Sequence, residues 1–256
     1  MPHPNEKQTA LIAPSGMNVS FRGPALEEGP LPCIFYFALS KKDTLFVDPY
    51  NQPSIVWEGL GMRVFSVDLP GHGEGLDHSQ AMREWINSLS ADPFFLEKFV
   101  KKCSEFVDDL IEKNYTFSQT IGTAGLSRGG FIATLLAIQN PHISTVLGFA
   151  PLTQLSCLAE YQELNLPPSP SHHLENMASL LIDKNLRYYI GNRDLRVSTD
   201  ACFQCIRSIT NTAFDHGKRS PSAELVVFPS IGHKGHGTPP HIFVEGAQWL
   251  ARQIAR

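Results

Sequence analysis

The sequence predicts an α/β fold, a mostly parallel central sheet with helices on both faces, and three observations carry that expectation. Short runs rich in β-branched and aromatic residues alternate along the chain with longer runs of helical periodicity. The run Cys33–Leu39 (CIFYFAL) is apolar almost throughout, as befits a strand covered on both faces. Phe95, Phe99, Cys103, Phe106, Val107, Leu110 and Ile111 recur at three- and four-residue spacing, the pattern of a helix that lays one stripe on a core.

Each element follows in order. Thr9–Ala13 and Met17–Phe21 read as an opening antiparallel pair, then Cys33–Leu39 and Arg63–Asp68 (RVFSVD) as buried strands. Asp92 before Pro93 forms a helix start, an N-cap with proline at the first helical position, and that helix runs to about Asn114. Gln119–Leu126 is the next strand, Arg128–Gln139 a helix stopped by Asn140-Pro141, and Ile143–Ala150 a strand. From Pro151 to about Asp183 the alternation breaks at Pro167, Pro168 and Pro170, which marks an insertion. Leu186–Ile190 (LRYYI) and Glu224–Phe228 (ELVVF) supply the last strands, and a helix from about His241 to Ile254 follows. No internal repeat interrupts this pattern. The expectation is one domain over residues 1–256 with a cap insertion at about 151–183.

Composition narrows the function classes. The 256 residues are 42% hydrophobic and 18% charged, which is globular, and the formal charge of −4 gives no attraction to nucleic acid. Lys101 and Lys102, the densest basic cluster, fall on a solvent-facing helix surface. No run approaches the roughly 20 apolar residues that a membrane span needs. Met1 to Pro30 is broken by proline and glycine and does not resemble a secretory signal. The five cysteines are irregularly spaced; Cys202 and Cys205 stand at i and i+3 of a helix without a second pair, so they read as core thiols. A cytoplasmic setting follows from that cysteine usage.

The chemistry concentrates in Gly125-Leu126-Ser127-Arg128-Gly129, a G-x-S-x-G segment with a strand before it and a helix after it. Small flanking residues let strand and helix approach while the serine stands out at the turn, above a helix N-terminus that favours negative charge. A serine needs a base, and the base needs an orienting acid. Asp194 follows the LRYYI strand, and His233 follows the last strand. Both loops lie at strand C-terminal ends, where open α/β sheets gather their sites. His233, His236 and His241 lie close together, but without a carboxylate-bearing helix they do not form a convincing metal motif.

With Ser127, Asp194 and His233 in that chain order, the sequence resembles the α/β-hydrolase superfamily over residues 31–256. Asp68-Leu69-Pro70-Gly71-His72-Gly73 is similar to the turn after that family's fourth strand. Gly191-Asn192-Arg193-Asp194-Leu195-Arg196-Val197 looks like its acid loop, especially in the esterase, dienelactone-hydrolase and prolyl-peptidase-like branches. The resemblance implies Ser127 as nucleophile, Asp194 as acid and His233 as base, with His72 structural. It implies an oxyanion hole from the N–H groups of Arg128 and Leu39, with Ala38 and Ser40 as alternatives to Leu39. The common His-Gly after the third strand is replaced here by Phe37-Ala38-Leu39-Ser40. His233 is favoured over His236 because it stands at the usual distance from the strand.

The expected activity is hydrolysis of small or medium carboxylic esters through an acyl-enzyme on Ser127, with a small-molecule acyl substrate, no cofactor and no metal. Two other readings share the fold: a non-catalytic ligand- or partner-binding protein, and an acyltransferase. Leu155, Leu158, Tyr161, Leu164 and Leu166 of the insertion either line an acyl pocket or pack on the sheet, and packing is favoured.

Overall fold

The computed structural model describes residues 9–73, 75–163 and 172–255. Eight strands form one sheet: β1 (Thr9–Ile12), β2 (Asn18–Arg22), β3 (Cys33–Phe37), β4 (Arg63–Val67), β5 (Ile121–Leu126), β6 (Ile143–Phe149), β7 (Asn185–Gly191) and β8 (Ala223–Phe228). Their spatial order is β1-β2-β4-β3-β5-β6-β7-β8. The opening pair is antiparallel, β2 also meets β4 antiparallel, and every pairing from β4 to β8 is parallel.

All five residues of β3 are buried, which explains their apolar run. Alternate side chains enter opposite cores. Ile34 and Tyr36 pack with α2 (Gln52–Gly59) and α8 (Pro240–Ile254), where the Trp57 indole N–H donates to the Ala247 carbonyl at 2.9 Å. Cys33, Phe35 and Phe37 face the larger core with α3 (Ala81–Ala91), α4 (Phe95–Glu112), α5 (Arg128–Gln139) and α7 (Thr199–Asp215). The sheet is therefore covered on both sides, as expected.

The stripe on α4 is present, with Leu96 and Val100 as its buried members in the first turns, while Phe95 and Phe99 pack at the margin. The helix begins two residues later than the proline suggests. Asp92 instead caps the preceding turn, its Oδ1 accepting from the Phe94 N–H at 3.1 Å. Before β5, three helices of the described residues lie outside the sequence expectation: α1 (Lys41–Phe46), α2 and α3. α3 carried a signal nonetheless, since Met82, Trp85, Ile86 and Leu89 are its buried residues at helical spacing.

In the insertion, short turns (Leu155–Cys157 and Leu174–Leu180) and α6 (Ala159–Gln162) replace regular alternation. Leu155, Leu158 and Tyr161 are buried in the larger core, so they pack; Leu164 and Leu166 lie outside the described residues. Cys202 and Cys205 are buried free thiols, and Lys101 and Lys102 are exposed.

Candidate active site

Ser127 occupies a sharp turn between β5 and α5 with φ 53° and ψ −118°, a conformation that a non-glycine residue holds only when its surroundings force it. Two hydrogen bonds pin the turn to the sheet's rim: Ser127 N–H donates to the Phe149 carbonyl at 2.9 Å, and Leu152 N–H donates to the Ser127 carbonyl at 3.0 Å. The flanking glycines are required by space. A Cβ on Gly125 would lie 2.1 Å from the Gly129 carbonyl carbon, and one on Gly129 would lie 1.9 Å from the Phe37 carbonyl oxygen. The small-residue requirement inferred for these two positions is thus met by backbone contact.

Asp194 lies in the loop after β7 and is almost fully buried. Its Oδ1 accepts from the N–H groups of Arg196 at 2.9 Å and Val197 at 3.0 Å. Its Oδ2 faces His236, whose Nδ1 is 2.7 Å away. His236 Nε2 lies 3.0 Å from Ser127 Oγ. With a carboxylate as acceptor on one side, the imidazole carries its proton on Nδ1 and presents Nε2 as acceptor to the serine hydroxyl.

The assignment of His233 as base is corrected by this geometry. His233 is exposed at the head of a tight turn (His233–Gly235), and the structure brings His236 to Ser127 and Asp194 in its place. Glycines explain the extra turn. Gly232 and Gly235 have φ of 76°, and a Cβ on Gly235 would lie 2.1 Å from the Arg193 carbonyl oxygen. That close approach seats the turn on the acid loop, where Leu195 N–H donates to the Lys234 carbonyl at 2.9 Å, and the residue after it faces Asp194. The repeated glycines of Gly232-His233-Lys234-Gly235-His236-Gly237 were the available signal. Distance from the strand was the weaker guide.

The oxyanion donors are treated unequally. Arg128 heads α5, so its N–H is among those with no carbonyl behind them in the helix. Leu39 also borders the site, but its N–H donates to Thr44 Oγ1 at 3.1 Å, and the Ala38 N–H shares that oxygen at 3.3 Å. Leu39 is therefore committed elsewhere, contrary to expectation. His72 is buried and outside the serine–histidine–aspartate chain, as its structural reading requires.

A cavity of about 320 Å³ opens beside Ser127, walled by Pro49, Tyr50, Leu126, Phe243 and Thr238. Its walls are mainly apolar, with polar groups gathered at Ser127, Arg128 and His236. That is the composition of a small-molecule site. No helix among the described residues is long and apolar enough to cross a membrane.

No protein-family profile matches the chain, and no curated protein matches its sequence. Its fold has many solved counterparts. A protein assigned as a dienelactone hydrolase from Klebsiella pneumoniae superposes with a TM-score of 0.67 at 16% identity, covering 97% of each chain. TT1662 from Thermus thermophilus gives 0.66 at 18% identity over 98% of each chain. A cold-adapted esterase from an Arctic intertidal metagenomic library gives 0.65 at 18% identity, covering 96% of this chain and 92% of the esterase. The chain has the α/β-hydrolase fold.

Proposed function

We propose that this protein is a serine hydrolase that cleaves carboxylic esters or related acyl compounds through an acyl-enzyme on Ser127. One observation carries the reading: the continuous hydrogen-bonded chain from Ser127 Oγ through both nitrogens of His236 to the buried Asp194. His236 Nε2 takes the hydroxyl proton as Ser127 Oγ bonds to the substrate carbonyl carbon. The resulting oxyanion lies toward the Arg128 N–H at the N-terminus of α5. His236 then hands its proton to the departing alcohol. Water repeats the sequence on the acyl-enzyme, releasing the acid and restoring Ser127. Asp194 holds the tautomer and stabilises the imidazolium.

The esterases and hydrolases among the structural neighbours add support at the level of the fold. The five free cysteines favour a cytoplasmic location. The test is labelling with a fluorophosphonate and mapping of the modified residue. Labelling confined to Ser127, abolished in Ser127→Ala, is expected. A folded protein that takes no label would instead be a binding protein on the same scaffold.

A further inference from the structure

The cavity beside Ser127 is an opening in the smaller of the two cores. Ala38 and Phe243 belong to that core, and Tyr50 and Leu126 pack against it. Two of these wall residues, Tyr50 and Phe243, are aromatic. Phe243 ends a chain of rings: Tyr189 stacks on Phe149 with centroids 5.9 Å apart, and Phe149 meets Phe243 edge to face at 4.9 Å. Tyr50 is only half-buried and pairs with no other ring among the described residues.

Both residues stand on braced backbone. Tyr50 immediately precedes the N-cap of α2, and its carbonyl accepts from the Tyr36 hydroxyl at 2.9 Å. Phe243 lies in the first turn of α8. The Trp57 indole N–H on the Ala247 carbonyl ties the two helices together, so the spacing of the two wall residues is set before a ligand arrives. Among the described residues, no carboxylate or ammonium lines the cavity. Arg128 is its one permanently charged wall residue, and that charge is turned to the loop after β4. There Nη2 donates to His72 Nε2 at 2.6 Å, and the guanidinium carbon sits 5.7 Å from the centre of the Trp85 ring. A charged ligand would lose its water without gaining a counter-ion, whereas an uncharged one gains from the apolar walls.

We propose that this cavity takes an uncharged aromatic ring, so that the preferred substrates are neutral esters with a phenyl group close to the scissile bond. This names a substrate class for the serine-hydrolase reading and rests on it. Aromatic pairs gain from offset-stacked or edge-to-face contact beyond the area they bury, and a saturated ring of similar size forgoes that gain. Size agrees with the assignment. An apolar cavity of about 150 Å³ suffices for benzene, so about 320 Å³ holds the ring together with the group that links it to the ester.

Two matched substrate pairs test it, each rate divided by that of alkaline hydrolysis to remove intrinsic reactivity. One places the ring in the acyl group, 4-nitrophenyl phenylacetate against 4-nitrophenyl cyclohexylacetate. The other places it in the alcohol, benzyl acetate against cyclohexylmethyl acetate. The native protein is expected to favour the aromatic member of one pair by about threefold or more in kcat/KM. That ratio falls toward one in Phe243→Leu or Tyr50→Leu, which keep an apolar wall without the ring. Comparing ratios within each variant removes any general effect on the site. No aromatic preference in either pair, or a preference that neither substitution diminishes, overturns the proposal.

Binding to Ser127→Ala, which keeps both rings, decides the matter should the leucine variants fail to fold. The ligands are 2-phenylacetamide against 2-cyclohexylacetamide for the acyl side, and benzyl alcohol against cyclohexylmethanol for the alcohol side, with affinities read by ligand-observed NMR. Tighter binding of the aromatic member of one pair by about threefold or more supports the proposal. Equal or weaker binding of the aromatic member in both pairs defeats it. These affinities do not require Ser127 to react: aromatic preference without fluorophosphonate labelling of the native protein would reject the hydrolase reading and leave the aromatic site standing.

Discussion

His236 Nε2 lies 3.0 Å from Ser127 Oγ although 109 residues separate them in the chain. The two loops meet only because parallel strands deliver both to the same rim of the sheet. The expected consequence is an asymmetry between neighbouring histidines. His236→Ala should lower kcat for a 4-nitrophenyl ester by about 10⁴-fold or more, the order seen when a triad base is removed. His233→Ala, at an exposed position, should stay within about threefold of the native rate, as a surface change does. Equal losses in both variants would return the base to an open question. Asp194→Asn should cost about 10⁴-fold in kcat with little change in KM, because the amide favours the wrong imidazole tautomer.

The turn that carries Ser127 depends on the absence of a side chain at residue 129. Gly129 lies in α5, where alanine would ordinarily stabilise the helix by about 1 kcal/mol. Here the added Cβ would fall 1.9 Å from the Phe37 carbonyl oxygen, and backbone cannot step aside as a flexible side chain can. Gly129→Ala is therefore expected to destabilise the fold by about 3 kcal/mol or more, the scale of severe overpacking. Urea unfolding at neutral pH gives the sign directly. A stabilised variant would mean that strand and helix are less tightly apposed.

Much of this arrangement was legible in the sequence because chemistry and packing left separate marks. β3 shows its double burial in five consecutive buried residues, and the bounds of α5 coincide with the predicted helix because Ser127 and Asn140-Pro141 delimit it. Residue type plus position after a strand singles out Ser127 and Asp194, and the structure brings both to His236. The histidine was missed by three places because loop length alone does not reveal how far a chain folds back. The left-handed conformations at Gly232, Lys234 and Gly235 take up one turn before His236 faces the acid. The Leu39 N–H was misassigned for a related reason: its partner Thr44 lies in the following helix, and no local pattern marks that bond. α2 was missed because Trp57 and Ser54 are buried with little periodic contrast around them.

Arg128 and His72 make stability depend on pH in a definite direction. Burial holds the His72 imidazole down to about 4, against 6.5 for an ordinary histidine. Above pH 6.5 it is neutral in both native and unfolded chains and contributes no pH dependence. As pH falls toward 4 the unfolded chain gains a proton that the native protein refuses, so stability is lost across that window. The loss is on the order of 3 kcal/mol at the low end. His72→Gln retains an acceptor for Arg128 but does not titrate. The difference in unfolding free energy between native protein and variant should therefore change between pH 7 and pH 4.5, with the native protein losing more. Parallel pH profiles would assign the acid sensitivity to other groups.

The cavity sets a limit on the acyl group. At about 320 Å³ it stands at the small end of the range for ligand pockets, and Phe243 and Leu126 close it with apolar surface. Acetyl to hexanoyl 4-nitrophenyl esters should accordingly be turned over with the highest kcat/KM, and lauroyl esters poorly. Tyr50 forms part of the wall and is only half-buried, while its carbonyl, which accepts from the Tyr36 hydroxyl at 2.9 Å, belongs to the backbone. Tyr50→Ala thus widens the cavity without removing that bond. The chain-length optimum should move toward longer acyl groups in this variant, with the gain appearing in KM for the longer esters. An unshifted optimum would place the acyl chain outside this cavity and leave the alcohol as the group that it holds.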